Sequence, residues 1–333
     1  MIHVENLTKE FKFRKSQPGL KGAVKGLFSN VTETKTAVNN ISFDITPGEI
    51  VGYIGSNGAG KSTTIKMMTG ILTPTSGRCL VNGIVPYEKR MENSQNIGVV
   101  FGQRTQLWWD LPLSETFTIL RDIYRVPNKE FQDRMEFLES VLGFNEFIHS
   151  TVRTLSLGQR MRADLAAAMI HNPKILFLDE PSIGLDVVVK ENIRKAIKLM
   201  NKEFNTTVLL TTHDMAEIEE LCNRIIIIDS GEKIYDGDKK QFKDKYGYMK
   251  TIEMNIANEE KAKILNFNTS FNLSSEDINW SIKDQKIVLN YHKDKVSSMQ
   301  IISCAMDKVD INDINIRELP IEDIVKGIYQ GLT

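Results

Sequence analysis

Cysteine is scarce in this 333-residue chain, with only Cys79, Cys222 and Cys304. They are far apart, odd in number and in no metal-ligand spacing, which argues against a disulfide framework and fits a reducing compartment. Charge of one sign is lacking too: 42 Lys and Arg face 43 Asp and Glu, a formal net charge of -1. That balance gives no overall pull toward polyanions, so no nucleic-acid partner is expected. Long apolar runs are also missing. No stretch approaches the roughly 18 apolar residues needed to span a bilayer, and the opening MIHVENLTKEF has neither the basic nor the apolar region of a secretion signal. A cytoplasmic location is expected, and any transmembrane channel would have to come from another chain. No internal repeat is evident.

What is present is enough apolar material for a large core: 41% hydrophobic and 26% charged residues over a length that suits one large domain and a smaller one. Four β-branched or aliphatic runs read as buried strands: Ile50 to Ile54, Ile175 to Leu178, Val208 to Leu210 and Ile225 to Ile228. Alternating with helical stretches, they predict an α/β fold built on a mostly parallel sheet. From about residue 104 to 172 the spacing turns helical, with Phe131, Met135, Leu138 and Leu142 on one face and Gly143 as the stop, so a helical subdomain is inserted there. The first domain is placed at 1–240. Over 241–333 the composition is more polar and the elements shorter, in the order β-α-β-β-α-β plus a final helix, a small α+β domain of ferredoxin-like pattern.

Residues Gly55 to Ser62 read GSNGAGKS, the phosphate-loop pattern directly after a predicted strand. Gly55, Gly58 and Gly60 permit a backbone path whose N–H groups, with that of Asn57, point at phosphates, and the helix starting near Gly60 adds its dipole. Lys61 is placed to reach the β- and γ-phosphates, Ser62 to coordinate Mg²⁺, and Thr63 to lie on the phosphates. A glycine-rich turn without function is the bland alternative.

The segment ILFLDE puts Asp179 and Glu180 where a buried strand ends, at the same sheet edge. Asp179 suits Mg²⁺ and Glu180 suits activation of a water as general base. The alternative is a solvated turn before Pro181. His213 follows the strand TTVLLTT and emerges at that edge as well.

Together these segments resemble the ATP-binding cassette of ABC transporters over roughly residues 1–235. GSNGAGKST corresponds to the Walker A loop, ILFLDE to Walker B, Gln103 to the Q-loop, LSLGQ at 155–159 to the signature, SIGLD at 182–186 to the D-loop and His213 to the switch histidine. The resemblance implies a P-loop NTPase cassette fold and an ATPase that uses ATP and Mg²⁺. It also implies that Gln103 senses the γ-phosphate and contacts the metal, and that Ser156, Gly158, Gln159 and Asp186 meet nucleotide held by a second cassette, in a homodimer or paired subunit. From the residues themselves, Ser156 and Gln159 form an S-x-x-Q capping box opening a helix toward Asn172. Leu157 departs from the family's usual glycine. By the same resemblance Phe11 stacks on adenine, with Phe13 the near alternative. Trp108 and Trp109 form either a partner-contact surface or ordinary subdomain core.

The implied partner is a separate transmembrane permease, which would make the chain peripheral on the inner face of the cell membrane. The Q-loop run VVFGQRTQLWWDLP and the IGLD turn look like export ATPases of the daunorubicin and viologen type, with polysaccharide export also open. The insertion from Lys12 to Thr36 either touches the partner or an anionic membrane, or is a surface loop. A soluble ABC ATPase of translation or DNA repair is the competing class. It is disfavoured by a single P-loop and the lack of coiled-coil heptads. The C-terminal domain is read as regulatory or as a dimer and partner contact.

Overall fold

The computed structural model describes residues 1–14, 32–102 and 104–329. Residues 15–31 of the insertion and Gln103 lie outside the described residues. Contacts divide the chain into two compact units, Met1–Gly237 and Asp238–Thr333.

The described residues of the first unit form nine strands: β1 Ile2–Arg14, β2 Thr32–Ile45, β3 Ile50–Gly55, β4 Ser76–Val81, β5 Ile97–Phe101, β6 Ile175–Asp179, β7 Thr207–Thr211, β8 Arg224–Asp229 and β9 Glu232–Asp238. Six form one sheet in the order β5-β6-β7-β3-β8-β9. Its pairs β5–β6, β6–β7, β7–β3 and β3–β8 are parallel. Parallel strands are covered on both faces, which is why all five residues of β7 and the inner residues of β3, β6 and β8 are buried. The ladder registers Phe101 with Asp179 and Asp179 with Thr211, and Gly55 with Ile228, so the chain turns after five parallel strands leave from one edge. β8 joins β9 through Ser230 and Gly231, both at positive φ (49° and 84°), the backbone of a tight hairpin.

A three-stranded antiparallel sheet, β2-β1-β4, packs on that sheet. Its strands were not anticipated, although Ile2 and Val4 are buried and His3 and Glu5 exposed. Register shifts around Leu7 and Lys9 break the two-residue alternation that would have marked β1. The shared core includes Tyr53, whose ring lies 5.8 Å from that of Phe43 and whose hydroxyl donates to Thr64 Oγ1 at 3.2 Å. Burial raises the Tyr53 pKa.

The inserted helical region holds helices Leu113–Tyr124, Asn128–Leu142 and Leu157–Met169 with two short 3₁₀ turns. Gly143 ends the second helix in the left-handed conformation. Leu138 and Leu142 are buried, while Phe131 and Met135 are half-buried against a 410 Å³ cleft. The third helix stops before the expected Asn172, which takes φ 54° to turn into Pro173.

In the second unit, helix Lys239–Tyr246 starts on Asp238, which accepts from the backbone N–H of Lys240 and Gln241. The division therefore falls slightly earlier than the composition shift suggested. Four strands follow, β10 Met249–Ile256, β11 Ile278–Lys283, β12 Lys286–His292 and β13 Ile311–Glu318, in the order β11-β12-β10-β13 with every pair antiparallel. Short helices at 259–262 and 267–271 connect β10 to β11. Helix Ser298–Met306 begins at a Ser297–Gln300 capping box, and helix Ile321–Tyr329 closes the unit. The result is two interlocked split β-α-β units. The chain's three cysteines form no disulfide.

Candidate active site

The loop after β3 enters helix Lys61–Met68 through Gly60 at φ 106°, where a Cβ would come within 2.4 Å of the Ala37 carbonyl oxygen. Only glycine fits that approach. No side chain caps this helix, so its first N–H groups stay open toward the loop's concave side. Lys61 is 6% exposed, and its Nζ donates to the Gly55 carbonyl at 2.7 Å and the Ser56 carbonyl at 3.2 Å. Burial lowers its pKa, and the nearby Glu180 and Asp179 carboxylates oppose that shift. Ser56 Oγ donates to Asp229 Oδ1 at 3.0 Å, tying the loop to the end of β8.

At the end of β6, Asp179 Oδ1 accepts from Ser62 Oγ at 3.2 Å and from Thr211 Oγ1 at 2.6 Å. The loop serine, the strand-end carboxylate and the neighbouring strand's threonine thus meet at one oxygen. Glu180, next in the chain, has φ 55°, a left-handed conformation unusual for a glutamate. Its carbonyl lies against Gly102, where a Cβ would sit 1.9 Å from the oxygen, so β5 can pass β6 there only with glycine. His213 Nδ1 is 3.8 Å from Glu180 Oε1. Asn57, Ser62, Asp179, Glu180 and His213 line one cleft of about 620 Å³.

A smaller cleft of about 320 Å³, sharing Asn57, Ser62 and Glu180 with the first, is lined also by Phe11, Gly58, Gly60, Lys61 and Thr63. Phe11 is 39% exposed at its rim and Phe13 is not on it. Lys35, registered opposite Phe11 on β2, also lines it.

Ser156, Gly158, Gln159 and Asp186 are not brought to these clefts. Ser156 and Gln159 form the capping box, with Ser156 Oγ accepting from Gln159 N at 3.2 Å and Gln159 Oε1 accepting from Ser156 N at 2.9 Å. Asp186 caps helix Val187–Phe204, accepting from Val189 N at 3.0 Å. Gly158 packs on Val189, and Leu157 lies close to Gly184 in the SIGLD turn. Trp108 and Trp109 are 39% and 49% exposed, which removes the reading of both as core. The Arg160 guanidinium sits 4.5 Å over the Trp109 ring.

Several polar residues escaped sequence reasoning. Thr211 is one, its signal being the hydroxyl that ends an apolar strand. Glu217 is 1% exposed; burial raises its carboxyl pKa against hydrogen bonds from Ser182 and Thr212. Asp164, 5% exposed inside the helix opened by Ser156, is pushed up to about 7 by burial, against bonds from Thr105 and Gln106 and the charge of Arg160. An acidic residue inside the run ADLAAAM was the available signal.

Comparison with known proteins agrees with this geometry. The family model described as ABC transporter matches residues 38–183. The ABC transporter ATP-binding protein NatA of Bacillus subtilis (strain 168) is 34% identical over 210 residues, covering 63% of this chain and 85% of NatA. The linearmycin resistance ATP-binding protein LnrL of the same organism is 35% identical over 223 residues, covering 67% of this chain and 71% of LnrL. Among solved structures, the dimeric post-hydrolysis state of the ATP-binding cassette MJ0796 bound to ADP and Pi aligns at TM-score 0.59 and 27% identity, over 72% of this chain and 98% of that one. With a phosphate loop, a strand-end carboxylate pair and a capped signature helix in this fold, the chain belongs to the family of ABC transporter ATP-binding subunits and is an ATPase of the P-loop cassette fold.

Proposed function

We propose that this chain is the motor subunit of a membrane exporter: it hydrolyses Mg²⁺-ATP as one of two cassettes whose closure and opening drive a separate transmembrane permease. The observation that carries the chemistry is the meeting of Ser62, Asp179 and Thr211 at one carboxylate oxygen, with Glu180 and His213 beside it.

In this reading the open helix N-terminus and the loop N–H groups of Asn57 to Ser62 hold the β- and γ-phosphates, and Lys61 leaves the carbonyls of Gly55 and Ser56 to reach them. Phe11 rather than Phe13 stacks on adenine, because Phe11 stands on the cleft rim. Thr63 supports the phosphates. Ser62 and Asp179 are hard oxygen donors and fit Mg²⁺, which is usually held by one or two carboxylates together with substrate phosphates rather than by an all-protein cage. Gln103 is the third candidate ligand. Bound there, Mg²⁺ would neutralise charge developing across the β- and γ-phosphates. Glu180 orients the attacking water and takes its proton, and His213, 3.8 Å from that carboxylate, steadies the γ-phosphate.

The capping-box residues Ser156, Gly158 and Gln159, and the cap Asp186, belong to neither cleft of their own chain. An exposed helix N-terminus there suits the γ-phosphate of a second cassette, and the MJ0796 neighbour is a dimer. The separate permease, and with it a peripheral place on the inner membrane face, rests on the family to which the chain belongs; among the described residues no helix is long and apolar enough to cross a membrane. The export direction is supported by the resistance role in the name of LnrL.

The test is phosphate release by the purified chain with Mg²⁺, for wild type and Lys61→Ala, followed by identification of whatever co-purifies. Magnesium-dependent release lost in the variant, together with a co-purifying multi-helix membrane protein, supports the reading. Co-purification with ribosomes instead of a membrane protein, or undiminished release by Lys61→Ala, overturns it.

A further inference from the structure

The segment from Gly102 to Leu107 leaves β5 and is held at its two ends by different bodies. At its start, Gly102 N donates to the Asp179 carbonyl at 2.8 Å and the backbone is pressed against Glu180. At its end, Thr105 Oγ1 donates to Asp164 Oδ1 at 2.9 Å and Gln106 N donates to the same oxygen at 3.1 Å. Gln106 Nε2 also donates to the Asp164 carbonyl at 3.1 Å, and Thr105 Oγ1 accepts from Leu107 N at 3.1 Å. Three donors of this turn, Thr105 Oγ1, Gln106 N and Gln106 Nε2, therefore land on one residue.

Asp164 is 5% exposed and flanked in its helix by Ala163, Leu165 and Ala166, all fully buried. A carboxylate in such surroundings is costly, and an apolar residue of similar shape would pack there at lower cost. What the carboxylate adds is direction: two donors on one oxygen fix the turn's orientation relative to the helix that Ser156 opens.

We propose that Asp164 is a positioning residue for the ATPase reaction, clamping the turn that follows Gln103 onto the helix opened by Ser156, so that the strand edge carrying Asp179 and Glu180 and that helix move as one. This rests on the proposed function above. In the sequence, Gln103 falls between the two anchors, Gly102 on the carboxylate edge and Thr105–Gln106 on Asp164. A shift of the edge around the γ-phosphate is then delivered to the helix N-terminus without slack, and a loose clamp leaves nucleotide binding intact but slows the catalytic step.

Steady-state ATPase and equilibrium ATP binding of the full chain test this in four variants. Asp164→Leu keeps the bulk and removes the acceptor; kcat should fall at least about tenfold while ATP affinity stays within about threefold of wild type. Asp164→Asn keeps an acceptor oxygen and should retain kcat within about threefold. Thr105→Val, at a half-buried position outside the apolar core, should lower kcat by about three- to tenfold. The double variant Thr105→Val/Asp164→Leu should be no worse than Asp164→Leu alone. Undiminished kcat in Thr105→Val, or additive losses in the double variant, overturns the clamp. So does a parallel fall of kcat and affinity in both Asp164 variants, which would mean that Asp164 only holds the fold. If Asp164→Leu does not fold, Thr105→Val against Asp164→Asn decides. A wild-type chain without Mg²⁺-dependent ATPase would instead overturn the underlying function and leave the clamp geometry untouched.

Discussion

The two units build their cores from different material. In residues 1–237 the buried set includes Lys61, Thr64, Asp164, Thr211, Thr212 and Glu217 among the aliphatic residues. In 238–333 every buried residue described is apolar, apart from Tyr291, whose hydroxyl meets Ser298. Burying polar groups costs stability unless each finds a partner, so a unit that does it repeatedly is built for something besides folding. Among the described residues, the second unit buries no charged side chain. The contrast separates a unit whose mutations should read out in catalysis from one whose mutations should read out in stability.

Lys61→Ala is the sharpest probe of that separation. ATP hydrolysis, followed as phosphate release, should fall by about a hundredfold or more, with little change in unfolding midpoint, because the lysine's burial is itself unfavourable. On the other side, Phe267→Ala removes a fully buried ring that meets Trp280 edge-on at 5.3 Å. It should cost the C-terminal unit about 3–5 kcal/mol in denaturant unfolding and leave ATP affinity unchanged. A parallel loss of nucleotide binding would erase the distinction.

A smaller effect is expected from His171, stacked on Tyr124 at 3.8 Å and hydrogen-bonded through Nε2 to the Ile97 carbonyl. Burial holds its pKa down at about 4. With the folded value below the unfolded one, the neutral ring's contribution is present above about pH 6.5 and is lost as pH falls from there toward 4. His171→Phe should flatten that decline by about 2 kcal/mol, less than the full shift implies because the ring keeps some solvent contact. Melting curves at pH 7 and pH 5 check the sign, and a steeper decline in the variant contradicts it.

The finest comparison uses one motif twice. Ser156–Gln159 and Ser297–Gln300 are both capping boxes. Replacing either serine by alanine should cost about 1 kcal/mol of stability. Only Ser156→Ala should also slow ATP hydrolysis. Equal effects of the two substitutions on the ATPase would mean that the signature serine is just a cap.

What was legible in the sequence follows the same physics. β3, β6, β7 and β8 are buried on both faces and so read as continuous apolar runs, and the phosphate loop and Asp179–Glu180 sit at their ends. β1 was not legible, because bulges scramble its alternation. The capping box at Ser156 was visible since both partners lie within one turn. Asp164 was not, because the groups that explain it, Thr105 and Gln106, are 59 and 58 residues away. Thr211 needed Asp179, 32 residues back, for its meaning.

The most direct test of the account is Glu180→Gln, measured for ATP binding, phosphate release and mass in solution with ATP. The substitution keeps the shape of the site and removes the base, so ATP should bind as in wild type, phosphate release should fall at least about a hundredfold, and the chain should accumulate as an ATP-bound dimer. Phosphate release at the wild-type rate would contradict the assignment of Glu180 and the mechanism that rests on it.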